Sequence, residues 1–156
     1  MKCATSLLVL FGLAISIGAC GSSDGGSSPK AAADSPPEVI RAWSDTLRAG
    51  KVDRAASYFA IPSVVENGTG PVTLRSRVEA RGFNVALPCG AKLLRTSSAG
   101  KFTTAVFRLT DRPGPGGGCG SGAGSTARTT FVIAEGKIKQ WRRVSDRPRR
   151  PAGPIV

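Results

Sequence analysis

Apolar residues are spaced along this chain in four distinct ways, and each spacing predicts a different kind of segment. From Ala4 to Ile17 the run is almost wholly apolar, broken only by Thr5, Ser6, Gly12 and Ser16. It is too short to cross ~30 Å of hydrocarbon as a helix, and Lys2 ahead of it gives it the form of a signal-peptide core. Residues 21 to 37 are rich in Gly, Ser, Ala and Pro, a composition that cannot bury enough apolar surface to order itself, so a tether is expected. From Pro36 the spacing turns helical. Val39, Ile40, Trp43 and Leu47 fall on one face, and Arg41, Ser44, Asp45 and Arg48 on the other. Ser35 with Glu38 three residues on reads as a capping box, and Gly50 as the stop. A second short helix is expected from about Val52 to Phe59, carrying Ala55, Ala56, Tyr58 and Phe59 and ended by Pro62. Ser63 to Glu66 reads as a short strand before the turn Asn67-Gly68. Val72 to about Val85 reads as a third helix with Leu74, Val78 and Phe83 inward.

From Ala91 onward the pattern is strand-like. Strands are predicted at Lys92 to Thr96, Phe102 to Thr110, Thr129 to Ala134 and Lys137 to Val144. Ala99-Gly100 and Glu135-Gly136 supply tight hairpins. Arg112 to Ser125 is a longer excursion rich in glycine and holding Cys119. A loop that cradles phosphate needs a helix N-terminus after it. Thr126 to Ile133 reads as strand instead, so a flexible hairpin tip pinned near its middle by Cys119 is expected. Three helices before a run of antiparallel strands predict an α+β fold in which the helices cover one face of a curved sheet. The expected organisation is a signal segment over 1–19, a modified cysteine and tether over 20–36, one domain over 37–146, and a basic Pro/Arg tail over 147–156.

Charge and cysteine content narrow the setting. The chain has 22 Lys and Arg against 10 Asp and Glu, for a formal net charge of +12, and loss of the signal segment would remove only one of those cations, Lys2. Arg142, Arg143, Arg147, Arg149 and Arg150 crowd the C-terminal end among Pro148, Pro151 and Pro154. A basic surface of this kind suits anionic lipid headgroups or an envelope polymer, each cation near such a surface contributing about 1 kcal/mol. The bland alternative is that scattered arginines only keep the chain soluble and that the tail is a frayed terminus. Aromatic interleaving beyond Trp141 is missing, so nucleic acid is not an expected partner.

The run Ile17-Gly18-Ala19-Cys20 resembles the bacterial lipobox, an aliphatic residue and two small ones before the cysteine that receives a diacylglyceryl group. This implies an exported lipoprotein cut before Cys20 and held by lipid at the extracytoplasmic face of the cell membrane. An ordinary secretory signal or an uncleaved anchor are the alternatives. Cys3 would leave with the signal segment, so Cys89 and Cys119 remain as a pair in an oxidising compartment and are expected to form a disulfide. A redox or metal role is the alternative, but neither sits in a CxxC and the chain has 0 histidines.

A second resemblance covers most of residues 37 to 146. Val39-Ile40-Arg41-Ala42-Trp43 through Leu47-Arg48-Ala49-Gly50, then Asp53, Tyr58-Phe59-Ala60 and Val64-Val65-Glu66-Asn67-Gly68, is similar to the opening of the nuclear transport factor 2-like (SnoaL-like) superfamily. Phe131 to Ile138 through Trp141-Arg142-Arg143-Val144 is similar to its closing hairpin. The resemblance implies a cone whose sheet and helices enclose a pocket, with a homodimer through the sheet as one arrangement. The superfamily includes ketosteroid isomerase, other isomerases and dehydratases, and members without chemistry. Where the isomerases carry a phenolic oxyanion donor this chain has Trp43, and where they carry the carboxylate base it has Asn67, an amide that cannot accept a proton at neutral pH. Glu66, one residue away on a strand, is expected to face away from the pocket.

Other chemistry finds little support. Without histidine there is no Ser-His or Cys-His dyad, and the few acids are spread too thinly for a carboxylate metal site. No cofactor is expected. Trp43, Tyr58, Phe59, Asn67, Phe83, Phe131 and Trp141 are the candidate pocket residues, the six aromatics among them serving either as plain core or as the walls of a small apolar ligand site. The reading is therefore a non-catalytic lipoprotein module that binds a small apolar ligand or an envelope component. A divergent enzyme of the same fold and a structural envelope protein acting through charge are the alternatives.

Overall fold

The computed structural model describes residues 35–144. Residues 1–34, with the expected signal segment, Cys20 and most of the tether, lie outside the described residues, as do Arg147, Arg149 and Arg150. The described chain runs α1 (Pro36–Arg48), α2 (Val52–Ala56), β1 (Phe59–Glu66), β2 (Val72–Leu74), α3 (Arg77–Val85), β3 (Gly90–Ala99), β4 (Phe102–Thr110), β5 (Thr126–Ala134) and β6 (Lys137–Val144), with one turn of 3-10 helix at Gly120–Gly122 before β5. The strands form one sheet in the order β2-β1-β6-β5-β4-β3. Neighbours are antiparallel except β1 and β6, which run parallel. This is the expected α+β class, three helices on a curved, mostly antiparallel sheet.

Helix α1 buries Val39, Ile40, Trp43 and Leu47 as its spacing requires. Ser44, expected on the polar face, is wholly buried, because residues 40, 44 and 47 share one helical face; its hydroxyl donates to the Arg41 carbonyl at 3.0 Å. The expected capping box at Ser35 does not form. Pro37, at the second helical position, has no N–H to offer Ser35, and the fixed φ of Pro36 and Pro37 starts the helix instead.

Three other expectations about the first half are corrected. Helix α2 ends at Ala56, and Phe59 already opens β1. Pro62 does not stop a helix; it lies inside β1, where the pairing with β6 shifts register between Phe59 and Val64 and no ladder hydrogen bond is demanded of it. Val72 to Leu74 is strand β2, paired to β1 through Ser63 to Val65, and the third helix begins only at Arg77. The true capping pair is Ser76 and Glu79: the Glu79 N–H donates to Ser76 Oγ at 3.1 Å, and the Glu79 carboxylate reaches back to the Arg75 N–H. With that start, Ala80 and Asn84 face the core, while Val78, expected inward, is 79% exposed.

The second half follows its alternation closely. The predicted bounds of β4 and β6 are those observed, and β3 and β5 extend beyond theirs. Glu135 (φ 54°) and Gly136 (φ 67°) make the two-residue hairpin into β6. Inward positions recur every second residue, as Thr103, Ala105 and Phe107 on β4 and Thr129 and Phe131 on β5.

Cys89 and Cys119 are disulfide-bonded, tying the entry of β3 to the excursion between β4 and β5 across 30 residues. Loop-closure reasoning puts the contribution of that cross-link at about 3.5 kcal/mol. Reduction should therefore lower the thermal midpoint by roughly 10–20 °C, read by circular dichroism with and without a reductant; an unchanged midpoint would show that the reduced chain is already constrained there.

Candidate functional site

The interior is organised around Trp43, placed at the centre of α1 with 2% of its surface exposed. Its ring meets Phe59, Phe107, Phe131 and Trp141 edge-on at centroid distances of 6.1, 6.3, 5.7 and 6.4 Å. Phe83 closes the group, 5.6 Å from Phe59 and 5.1 Å from Trp141. The Trp43 indole N–H donates to Asn84 Oδ1 at 2.9 Å, and Asn84 Nδ2 donates to the Ala80 carbonyl at 2.8 Å. Trp43 is therefore a tie between α1 and α3, and its one donor is already used inside the protein.

Beyond Trp43 the aromatic filling stops and a cavity of about 110 Å³ opens at the end of the sheet where β4 and β6 finish and β3 and β5 begin. Trp43, Leu47, Phe107 and Leu109 form apolar walls, and Ala91, Ala127 and Thr129 leave the space that larger residues would fill. Asn67, at the end of β1, and Arg143, near the end of β6, complete it. Among the described residues no carboxylate belongs to this wall, and Arg143 is its one charged side chain. Trp141 also belongs to it; its indole N–H is buried and has no acceptor. A wider groove of about 360 Å³ lies along Val65, Val72, Leu74, Phe83 and Ala86, and Asn67 borders both.

Of the seven candidate pocket residues, the structure thus brings Trp43, Asn67 and Trp141 to the cavity. Phe59 and Phe131 are buried around Trp43, Phe83 packs beside them, and Tyr58 is half-buried against the core just before β1. Glu66 belongs to the opposite face of the sheet, ion-paired with Arg142 at 2.7 Å. Leu109, Ala127 and Thr129 were missed in the sequence, although the two-residue alternation of β4 and β5 carries them on the same face as Phe107 and Phe131. Among the described residues no group of three His, Cys, Asp or Glu side chains gathers in one place.

The excursion after β4 is anchored at its start as well as at Cys119. Arg112 is 4% exposed, and its guanidinium donates to the carbonyls of Leu87 (2.7 and 2.9 Å), Val85 (3.2 Å), Asn84 (3.3 Å) and Pro115 (2.9 Å). The Asn84, Val85 and Leu87 carbonyls lie at and just past the end of α3, where a cation also complements the helix dipole, and Pro115 belongs to the excursion itself. Burial lowers the guanidinium pKa below its ordinary value. Gly116, in the left-handed region (φ 71°), passes so close to the Val85 carbonyl that a side chain there would overlap it.

The basic residues divide between the two faces of the sheet. Arg142 and Arg143, adjacent in β6, point to opposite sides by strand alternation. On the outer face, Lys92 pairs in register with Arg108, and Arg95 and Arg128 both flank Val106. These four cations are exposed and make no ion pair among the described residues.

No protein-family profile matches the sequence, and no curated protein matches it. Solved structures do. The fold is similar to a proposed polyketide cyclase from Sinorhizobium meliloti, at 19% identity and a TM-score of 0.55, over 69% of this chain and 94% of that one. It is similar to a nuclear transport factor 2-like protein of unknown function from Cytophaga hutchinsonii (7% identity, TM-score 0.54, over 70% and 88%). A third, of the same description, is from Burkholderia xenovorans (14% identity, TM-score 0.51, over 74% and 87%). At these identities the likeness is one of fold, and the fold is the nuclear transport factor 2-like, SnoaL-like one. Proteins of that fold include both an enzyme description and members of unknown function.

Proposed function

We propose that this chain is a lipid-anchored module at the extracytoplasmic face of the cell membrane that binds a small, largely apolar molecule without transforming it. The observation that carries the binding reading is the cavity beside Trp43, apolar on most sides and without a carboxylate among the described residues. Proton abstraction needs a base within hydrogen-bond reach of its substrate; Asn67 is no base, and Glu66 is engaged with Arg142 on the other face of the sheet. The volume suits a compact ligand, since a cavity of roughly 150 Å³ holds benzene. The lipid anchor rests on the Ile17 to Cys20 motif and on the tether that follows it.

Native mass spectrometry of the full chain, released from its host membrane, tests both parts. A mature mass beginning at a diacylated Cys20 and carrying a small-molecule adduct is the expected result. A Cys20→Ser variant should remain unprocessed and unlipidated. Replacing Ala127 by Leu should fill the cavity and remove the adduct while the melting temperature stays within a few degrees, the added bulk entering open space. An adduct that survives Ala127→Leu would place the ligand elsewhere.

A second reading, contact with anionic lipid headgroups, is favoured by Lys92, Arg95, Arg108 and Arg128. Like charges in register on one sheet face repel each other, and an anionic surface relieves that repulsion. Changing all four to Gln should abolish co-sedimentation of the unlipidated chain, made without residues 1–20, with vesicles rich in phosphatidylglycerol at low salt, as should 0.5 M NaCl with the unsubstituted chain. Binding that is equally strong in high salt would remove this reading.

A further inference from the structure

We infer that the ligand of the cavity is a small carboxylic acid, with a short apolar tail in the cavity and its carboxylate on Arg143. This rests on the ligand-binding reading above and narrows it to a chemical class. Among the described residues the polar side chains of the cavity wall are Arg143, Asn67, Thr129 and the indole of Trp141, and Arg143 is the one that carries charge. The Arg143 guanidinium has donors only, and it makes no ion pair among the described residues. The Trp141 indole is donor-only as well, and its N–H is buried without an acceptor. That N–H is itself closed to solvent, so the exposed Arg143 guanidinium is the donor that a ligand can reach. Asn67 can donate through its amide. A ligand that brought a cation or only further donors would leave the Arg143 guanidinium unmatched. One that brought a carboxylate would meet a planar guanidinium able to hold both oxygens, with no acid among the described residues of the wall to repel it.

Size fixes the tail. About 110 Å³ is less than the cavity that accommodates benzene, which limits the buried part to four or five carbons in a chain. The charged head need not be fully desolvated, because Arg143 is exposed and the carboxylate keeps part of its hydration. Among the described residues, Asp45 pairs with Arg48 and Asp111 accepts from the Cys119 N–H.

Trp43 and Trp141 are the 2 tryptophans of the chain, so indole fluorescence reports on the wall itself. The full chain, reconstituted in nanodiscs of neutral phosphatidylcholine, would be titrated at constant ionic strength with straight-chain carboxylates of two to eight carbons and with the matching primary amides. Affinity for the acids should rise with each added carbon, stop at five or six, and exceed that for the amides about tenfold. Arg143→Gln should remove the discrimination between acid and amide, the acids losing about tenfold more affinity than the amides. Equal affinity of acid and amide in the native chain overturns the inference while the binding reading stands. Absence of saturable binding by either series, or saturable binding that Ala127→Leu leaves unchanged, overturns the binding reading with it.

Discussion

Trp43→Ala is expected to unfold the domain at physiological temperature. Truncating a buried tryptophan costs ~3–5 kcal/mol through lost transfer energy and the cavity left behind. Here four aromatic rings lose a common neighbour at once. Asn84 Oδ1, wholly buried, also loses its donor, which adds roughly 1–3 kcal/mol. The sum is comparable to the whole stability of a small domain, ~5–15 kcal/mol. Trp43→Phe separates the two contributions, keeping a ring but losing the N–H, and should cost about 2 kcal/mol. Adding Asn84→Leu to Trp43→Phe should recover part of that loss, because removing both partners is cheaper than orphaning one. Urea unfolding followed by circular dichroism measures all three, and a Trp43→Ala domain as stable as the native one would mean that the rings repack around the void.

The order of these effects reflects what a linear pattern can encode. Strand alternation from Phe102 to Val144 is a local property, and β4, β6 and the Glu135-Gly136 hairpin stand where it put them, while the turn into β4 falls one residue later than expected, at Gly100 and Lys101. The disulfide followed from elimination among four cysteines. The errors cluster between Tyr58 and Val78, where apolar spacing suits helix and strand alike and tertiary pairing decides. Phe59 is strand because its pairing partner is Ile138, far along the chain. Val72 is strand because β1 pairs with it, and the helix waits for the Ser76 cap. The Ser76-Glu79 spacing was visible and was outweighed by an apolar periodicity that ran through it.

The cavity was half legible for a similar reason. Aromatic residues mark an interior, and Trp43 and Trp141 do line the open part. The space itself is made by Ala91, Ala127 and Thr129, small residues whose effect depends on what stands opposite. Phe59, Phe83 and Phe131 fill the other end, so the same residue type means wall in one place and packing in another. Arg142 and Arg143 show the period-two rule at its sharpest: adjacent in sequence, one pairs with Glu66 on the outer face and the other stands at the cavity.

Arg112→Met should cost about 3–4 kcal/mol, second only to the loss of Trp43. The carbonyls of Asn84, Val85, Leu87 and Pro115 would lose their shared donor, and hydrogen bonds to a charged group are worth ~1.5–3 kcal/mol each before redundancy among acceptors is counted. Relief of the buried charge offsets part of this, since the guanidinium has only carbonyls and no carboxylate for company. Arg112→Lys keeps the charge but cannot reach four carbonyls from one planar fork, and should lose about half as much. The damage should be local at first: amide hydrogen exchange should quicken at the end of α3 and through residues 112–118, while the β4 to β6 ladder stays protected. Because Leu87 and Cys89 also belong to the cavity wall, the same substitution should weaken ligand retention at temperatures where the domain is still folded. Retention that tracks only global unfolding would show that the wall at Leu87 holds its shape without Arg112.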